Sequence, residues 1–397
     1  MLNTRFSPWP SFSDEEVNAV TAVVASNRVN YWTGDECRKF ETEFALWNNT
    51  RHAVALANGT LALDLALKAL GIRAGDEVIV TPRTFIASVS SVVNAGAIPV
   101  FADVNRDSGN IDAQTIAAVL SPRTRAIIPV HIGGWPCDMD AIMALAQAHG
   151  LKVIEDCAQA HGAYVGNRPV GSIGHAGAWS FCQDKIMTTG GEGGMVTTND
   201  TDLWSAMWSF KDHGKNWDAV YNRDHPPGFR WVHEGFGTNW RMIEMQAVIG
   251  RIQLTKMAAW TKSRTDNAIA IAKALAQFPK AVRTPVPGEG LTHAYYKYYA
   301  YVRPEGLKPG WTRDRIIAKI NALDVPAFQG SCSEVYLEKA FDGTGWRPET
   351  RLPVARELGE TSLMFLTHPT LTAAMIQQTC DAVTAVMHEA ALTGVEV

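Results

Sequence analysis

The sequence predicts an α/β fold: a large domain with a mostly parallel sheet covered by helices, then a smaller α+β domain. Three observations carry that prediction. Through the first half, short β-branched runs alternate with helical patterns, the signature of a sheet buried on both faces. Each strand-like run ends in small or polar residues: Thr81-Pro82, Asp103, His131, Asp156. From about Gly250 the alternation gives way to one long helical stretch. The division is placed at 1–250 for the large domain and 251–397 for the small one.

The elements follow in order. Asn58-Gly59-Thr60 precedes LALDLALKAL, whose apolar residues recur at helical spacing and which ends at Gly71. GDEVIVTP reads as a strand, SVSSVVNAG as a helix and AIPVFADV as a strand. A polar helix around Asp112 to Leu120, the strand RAIIPVH, the helix MDAIMALAQAHG and the strands KVIEDCA and GAWSF continue the pattern. Beyond the long helical stretch (IQLTKMAAWTKSRTDNAIAIAKALAQF) and a Pro/Gly-rich segment from Thr284 to Gly290, YYKYYAYV reads as a strand. RDRIIAKINAL and MIQQTCDAVTAVMHEAAL read as helices. In open α/β sheets, ligands bind beyond the carboxyl ends of the strands, which is where the polar residues collect.

Composition narrows the function classes. The 397 residues are 46% hydrophobic and 19% charged, enough for a large core. A formal net charge of -4, with signs interspersed, offers no basic stripe for a nucleic acid. No apolar run approaches the ~20 residues of a membrane span, and MLNTRFSPWPSFSDEE lacks the basic and apolar regions of a signal peptide. Six scattered cysteines without a CxxC pair read as reduced, buried thiols. Together these give the expectation of a cytoplasmic protein with no nucleic acid or membrane partner.

Four segments bear chemistry. In SFCQDKIMTTGGEGGM, Lys185 follows a strand and precedes a glycine-rich turn. A desolvated lysine amine can act as nucleophile and base toward an aldehyde, although a lone loop lysine is usually a surface residue. In VIEDCAQAHGA, Asp156 ends an apolar strand 29 residues before Lys185. A carboxylate there can hold a pyridinium nitrogen protonated or simply cap the next helix. Gln159 lies three residues on, placed for a ring face or phenolic oxygen. Asp156, Cys157 and His161 sit close together, but their spacing fits no standard zinc pattern, so no metal is expected. In ALANGTLAL, Gly59 and Thr60 open a helix whose free amides suit a phosphate, with plain capping as the alternative. Ser180 can add a hydroxyl to the same group. In TPRTFIAS, Phe85 follows a strand end and can stack on a flat ring or fill the core.

Taken in order, NGTLAL, TFIAS, PVHIGGWPCDMD, VIEDCAQAHGA, SFCQDKIMTTGGEGG and GTNWRMIEMQAVIG resemble the DegT/DnrJ/EryC1/StrS aminotransferases, sugar aminotransferases of the fold type I pyridoxal-phosphate superfamily. The resemblance implies pyridoxal 5'-phosphate as cofactor, with Lys185 joined to it and shuttling the proton. Asp156 would meet the pyridine nitrogen, with Gln159 near the ring and Phe85 stacked on it. Gly59, Thr60 and Ser180 would cradle the phosphate. Asn239 matches an asparagine that reaches the phosphate of the neighbouring subunit's cofactor, which implies a homodimer and an inactive monomer. His131 and His213 match histidines near the family's site, with no step assigned. The implied reaction moves the amine of L-glutamate, through a pyridoxamine phosphate form, to a nucleotide-linked 4-keto-6-deoxyhexose of O-antigen, capsule or antibiotic sugar biosynthesis.

Three rivals stand beside it: a cyclitol ketone as acceptor, a non-catalytic cofactor-binding regulator, and a pyridoxamine-phosphate-dependent sugar 3-dehydratase. In that last branch a histidine takes the position held here by Lys185. The chain departs from the family at FQGSCSEVYLEKAF, which replaces a short Tyr-Pro-type segment, and this leaves the sugar open. The aromatic loop WDAVYNRDHPPGFRWVHEGF can cover a nucleotide sugar or pack an interface.

Overall fold

The computed structural model describes residues 5–392. Its centre is a seven-stranded sheet: β1 (His52–Leu56), β2 (Glu77–Val80), β3 (Ile98–Phe101), β4 (Thr124–Ile128), β5 (Lys152–Asp156), β6 (Ala176–Ser180) and β7 (Gly194–Thr198). The spatial order is β1-β7-β6-β5-β4-β2-β3. The run from β3 through β2, β4 and β5 to β6 is parallel. β7 is antiparallel to both β6 and β1. The mostly parallel α/β expectation therefore holds, and β7 is the strand that makes it "mostly". Every residue of β2, β6 and β7 is buried, which is why these runs lack a polar alternation.

Local chemistry sets the helix starts. The helix Gly59–Ala69 begins where the Asn58 side chain accepts from the Leu61 amide at 3.0 Å, and its apolar face is buried by Leu63, Ala66 and Leu67. The helix expected around Asp112 to Leu120 is shorter, Ala113–Ala117, and starts on a reciprocal Asp112–Thr115 cap. The helix Met139–His149 ends at Gly150, whose φ of 65° is left-handed.

After β7 come the helix Thr201–Lys211 and an aromatic-rich loop, then the long helix Glu244–Leu275. That helix straddles the expected division at 250/251. Met257 on its first half joins a core with Phe40, Phe181 and Trp179. Ala268, Ile271 and Leu275 on its second half join a core with Ile316, Ile320, Leu363 and Val383. The latter core lies against a four-stranded antiparallel sheet in the order Val282–Arg283, Tyr298–Val302, Ser362–Phe365, Ala327–Phe328. The helices Arg313–Asn321 and Ala373–Ala390 cover it.

No disulfide forms among the described residues. Cys37, Cys137 and Cys157 are buried as expected, but Cys332 is exposed, because its segment lies at the rim of a cavity rather than in a core. No helix among the described residues is long and apolar enough to cross a membrane.

Candidate active site

The carboxyl ends of β2, β5 and β6, the start of the helix Gly59–Ala69 and the loop after β6 surround a cavity of about 700 Å³. Gly59, Thr60, Phe85, Asp156, Gln159, Ser180 and Lys185 all line it. Segments more than a hundred residues apart in sequence thus converge on one space.

At one end of the cavity the backbone is drawn tightly together. A Cβ on Gly59 would lie 2.5 Å from the Ser180 Cβ, and one on Gly194 would lie 2.2 Å from the Asn58 carbonyl oxygen. Only glycine lets the helix start press against β6 and β7 at these points. Asn58 satisfies the Leu61 amide, leaving the amides of Gly59 and Thr60 without an intrahelical acceptor. Two free amides, the positive helix end and the Ser180 hydroxyl make a donor set suited to a phosphate.

Asp156 also lines the cavity. Its carboxylate accepts from Ser88 Oγ at 2.8 Å and from the Ala158 amide at 3.1 Å, and Ser88 is in turn 2.7 Å from Thr84 Oγ1. Burial raises the Asp156 carboxyl above its ordinary range, outweighing those two hydrogen bonds and the charge of Lys185. A cationic ring N–H delivered to this carboxylate would relieve that penalty. Gln159 is oriented by a contact that can form only one way. The Gly133 amide donates to its Oε1 at 2.8 Å, so its NH₂ is left for the cavity. Phe85 is 69% exposed, although Thr84 and Ser88 around it are buried. An aromatic face left open inside a site is a stacking platform.

Lys185 projects from the loop between β6 and β7. Its amine lies 3.8 Å from Asp184 Oδ1 and 5.3 Å from the centroid of the Tyr296 ring. Its carbonyl accepts from Trp9 Nε1 at 2.7 Å, and Thr188, three residues on, donates its amide to Gln253 of the long helix at 2.9 Å. The glycine run that follows supplies the turn back into β7, with φ of 88° at Gly190 and 126° at Gly191. Asp184 is pushed up by burial, yet the Lys185 charge and the Tyr296 hydroxyl bring it below the usual carboxylate range.

The remaining sequence candidates lie elsewhere. Asn239 is exposed and outside this lining; it bridges Asp212, whose buried carboxylate accepts from Trp32, Lys215 and Arg241. His213 is exposed, with a left-handed φ of 58°. His131 is fully buried outside the cavity. Its Nδ1 accepts the Cys137 amide at 2.9 Å, so its Nε2 carries the proton toward Glu155 at 3.1 Å. The side-chain trio that does converge is His131, Glu155 and Cys157, within 4.8 Å of one another. Glu155 already accepts from the amides of Gly171, Ile173 and Gly174, so these side chains are engaged in holding the strand ends together.

Sequence reading missed Ser88, Asp184, Tyr296, Ser331 and Cys332, all of which line the cavity. Ser88 had a faint signal as a hydroxyl one turn after Phe85. Asp184 adjoins Lys185, but nothing local distinguishes it from a solvated carboxylate. Tyr296 comes from the far side of the chain, where only the fold brings it in, while Ser331 and Cys332 lie in the FQGSCSEVYLEKAF segment tied above to the sugar but not singled out there as residues.

A phosphate cradle, a buried carboxylate, an open aromatic face and an amine in one cavity fit pyridoxal phosphate. A model of the DegT/DnrJ/EryC1/StrS aminotransferase family matches residues 10–384. The chain belongs to that family. A solved aminotransferase from Psychrobacter cryohalolentis is 64% identical and superposes with a TM-score of 0.96, covering 96% of this chain and 99% of that one. The S. venezuelae DesV structure in complex with a ketimine intermediate is 33% identical, with a TM-score of 0.82 and 94% of each chain covered. GDP-perosamine synthase of Caulobacter vibrioides is 37% identical over 88% of this chain and 89% of its own. The chain is accordingly a pyridoxal-phosphate-dependent aminotransferase of the sugar aminotransferase family, with the fold type I architecture that the sequence resemblance implied.

Proposed function

We propose that this enzyme transfers the amine of L-glutamate to a nucleotide-linked keto-deoxysugar, an NDP-4-keto-6-deoxyhexose, on the way to an O-antigen or capsule sugar. The observation that carries the reading is the placement of the Lys185 amine and the Asp156 carboxylate in a cavity that also extends to Glu192, Ser331 and Cys332. That leaves polar space beside the amine for a second reactant. The relative named for GDP-perosamine supports a nucleotide sugar as that reactant.

When bound, the cofactor supplies an electron sink for the carbon that loses its proton. The chain's own groups do the rest. Asp156, oriented by Ser88, would hold the ring nitrogen protonated. Phe85 and Gln159 would hold the ring, and Gly59, Thr60 and Ser180 would hold the phosphate. Lys185 moves the proton in both half-reactions, as general base and then as general acid. The presence of Lys185 disfavours the dehydratase reading, whose chemistry needs that position without an amine.

Asn239 belongs to the same proposal as a residue acting on the neighbouring subunit's site. Its exposure outside its own cavity supports this, as do exposed aromatics in the loop before it, among them Trp231 at 80% and Phe236 at 102%.

Two experiments test the proposal. A panel of nucleotide keto-sugars with glutamate, read by mass spectrometry, is expected to give one aminated product. No product from any sugar alongside turnover of an inosose would replace the sugar with a cyclitol. Lys185→Ala is expected to lose the visible absorbance of the lysine-bound cofactor together with turnover. Retention of both would remove Lys185 from its role.

A further inference from the structure

Behind Lys185 lie two cations that the reaction above does not use: Arg264, which is buried, and Lys297, which is half-buried. Tyr296 gathers them. Lys297 Nζ lies 4.7 Å from its ring centroid, and Lys185 Nζ lies 5.3 Å from the same centroid. Arg264 Nη1 reaches the Tyr296 carbonyl at 3.4 Å, and the Tyr296 hydroxyl donates to Asp184 Oδ2. Oδ1 of that carboxylate stands 3.8 Å from the Lys185 amine. Arg264 is 1% exposed, its Nε and Nη2 have no partner, and its guanidinium sits 5.0 Å from the Trp9 ring centroid. Neither cation has an ion pair among the described residues, whereas the fully buried Lys211 is matched to Glu41 at 2.9 Å. Lone buried cations are costly and call for a reason.

We propose that Lys297 is a positioning residue for Lys185: its ammonium, across Tyr296, opposes protonation of the Lys185 amine, while Asp184 favours it. The inference rests on Lys185 being the cofactor-linked lysine. Like charges within one desolvated cluster disfavour each other's charged forms, and the same burial and repulsion bring Lys297 down to about 8. Other titratable groups face Lys185 as well, and Cys182 and Glu192 line the same cavity. Asp156 faces it from β5 and Tyr296 from the segment before Tyr298–Val302. Burial brings Arg264, on the long helix, to about 9. His161 and His368 are held neutral by burial, each at about 3. Lys297 and Asp184 are therefore an adjustable pair of opposite sign at the amine.

The test is a pH titration of the absorbance of protein reconstituted with pyridoxal phosphate. Lys297→Met is expected to move the midpoint up by on the order of one pH unit. Asp184→Asn is expected to move it down, and Lys297→Arg, which keeps the charge, to leave it near the parent value. A midpoint that is unchanged or lowered in Lys297→Met overturns the inference, as does an upward move in Asp184→Asn. Should Lys297→Met not retain cofactor, competitive labelling of the cofactor-free protein with acetic anhydride, followed by mass spectrometry of the Lys185 peptide, reads the same signs. Lys185→Ala separates the two levels. If it keeps the cofactor absorbance, the reading of Lys185 itself falls. If it loses that absorbance and Lys297→Met still leaves the midpoint in place, only the role of Lys297 falls.

Discussion

Asp156 is a buried carboxylate held by one hydroxyl and one amide, and the hydroxyl comes from a different element. Ser88→Ala removes that contact and its link to Thr84 while leaving the carboxylate buried. The loss of a hydrogen bond to a charged group is worth about 1.5–3 kcal/mol, so cofactor affinity is expected to weaken on the order of tenfold or more. Fluorescence titration of the cofactor-free protein with pyridoxal phosphate measures it, and parent-like affinity would mean that Ser88 does not orient Asp156.

His161 presents a second effect at this scale. It lies 5.0 Å from Trp179 and 5.6 Å from Phe181 by ring centroids, with neither ring nitrogen bonded. Burial brings its pKa from 6.5 to about 3. The unfolded chain therefore takes up a proton below about pH 6.5 that the folded chain refuses until about pH 3. Stability falls as pH drops through that window, by about 1.4 kcal/mol per pH unit for each such proton. His161→Leu is expected to flatten the dependence by that amount between the two values. Urea unfolding at a series of pH values checks it, and an unaltered slope would contradict the neutral assignment.

Lys185, Asp156, Gly59 and Phe85 were legible because each sits in a short segment with its own pattern. Ser88 and Tyr296 were not, because what distinguishes them is a partner 68 or 112 residues away.

At the scale of elements, helices with a capping residue and an apolar stripe could be read from the sequence. Helix Gly59–Ala69 and helix Met139–His149 fall within two residues of their expected limits. β7 could not be read. GMVTT directly follows a glycine run, and its pairing with β1 and β6 depends on strands far away in sequence. The long helix was legible in its apolar repeat but not in its purpose, which hangs on a polar residue. Gln253 is fully buried, accepting from the Thr188 amide at 2.9 Å and donating to Glu16 Oε1 at 2.9 Å. It ties the Lys185 loop to the helix Asp14–Ala25. Gln253→Met keeps the volume but strands an amide and a carboxylate oxygen. Each unpaired group costs about 1–3 kcal/mol, so a loss on the order of 2–6 kcal/mol is expected in urea unfolding of the cofactor-free protein. A loss below about 0.5 kcal/mol, the ordinary range for a surface change, would show that the link carries no stability.

At the scale of the whole molecule, the site residues divide into two sets. One set lines a single cavity, and Asn239 stands outside it on an exposed strip beside Trp240, whose carbonyl accepts the Ala57 amide at 3.0 Å. That contact sets the strip alongside the segment leading to Asn58 and the start of the helix Gly59–Ala69. The sequence set Asn239 apart only through resemblance, since no local pattern marks it. If Asn239 serves the partner's site, Lys185→Ala and Asn239→Asp, each inactive alone, complement one another when mixed. In a C2 dimer re-formed at random from equal amounts, half of the molecules are hybrids, and each hybrid has one site with both residues intact. Activity is then expected to return to about a quarter of the parent value. If Asn239 acts within its own subunit, every site of every hybrid lacks one of the two residues and mixing restores nothing. A glutamate-dependent turnover assay on the re-formed mixture distinguishes the two arrangements, and the hybrid purified through two affinity tags after co-expression is expected at about half of the parent value.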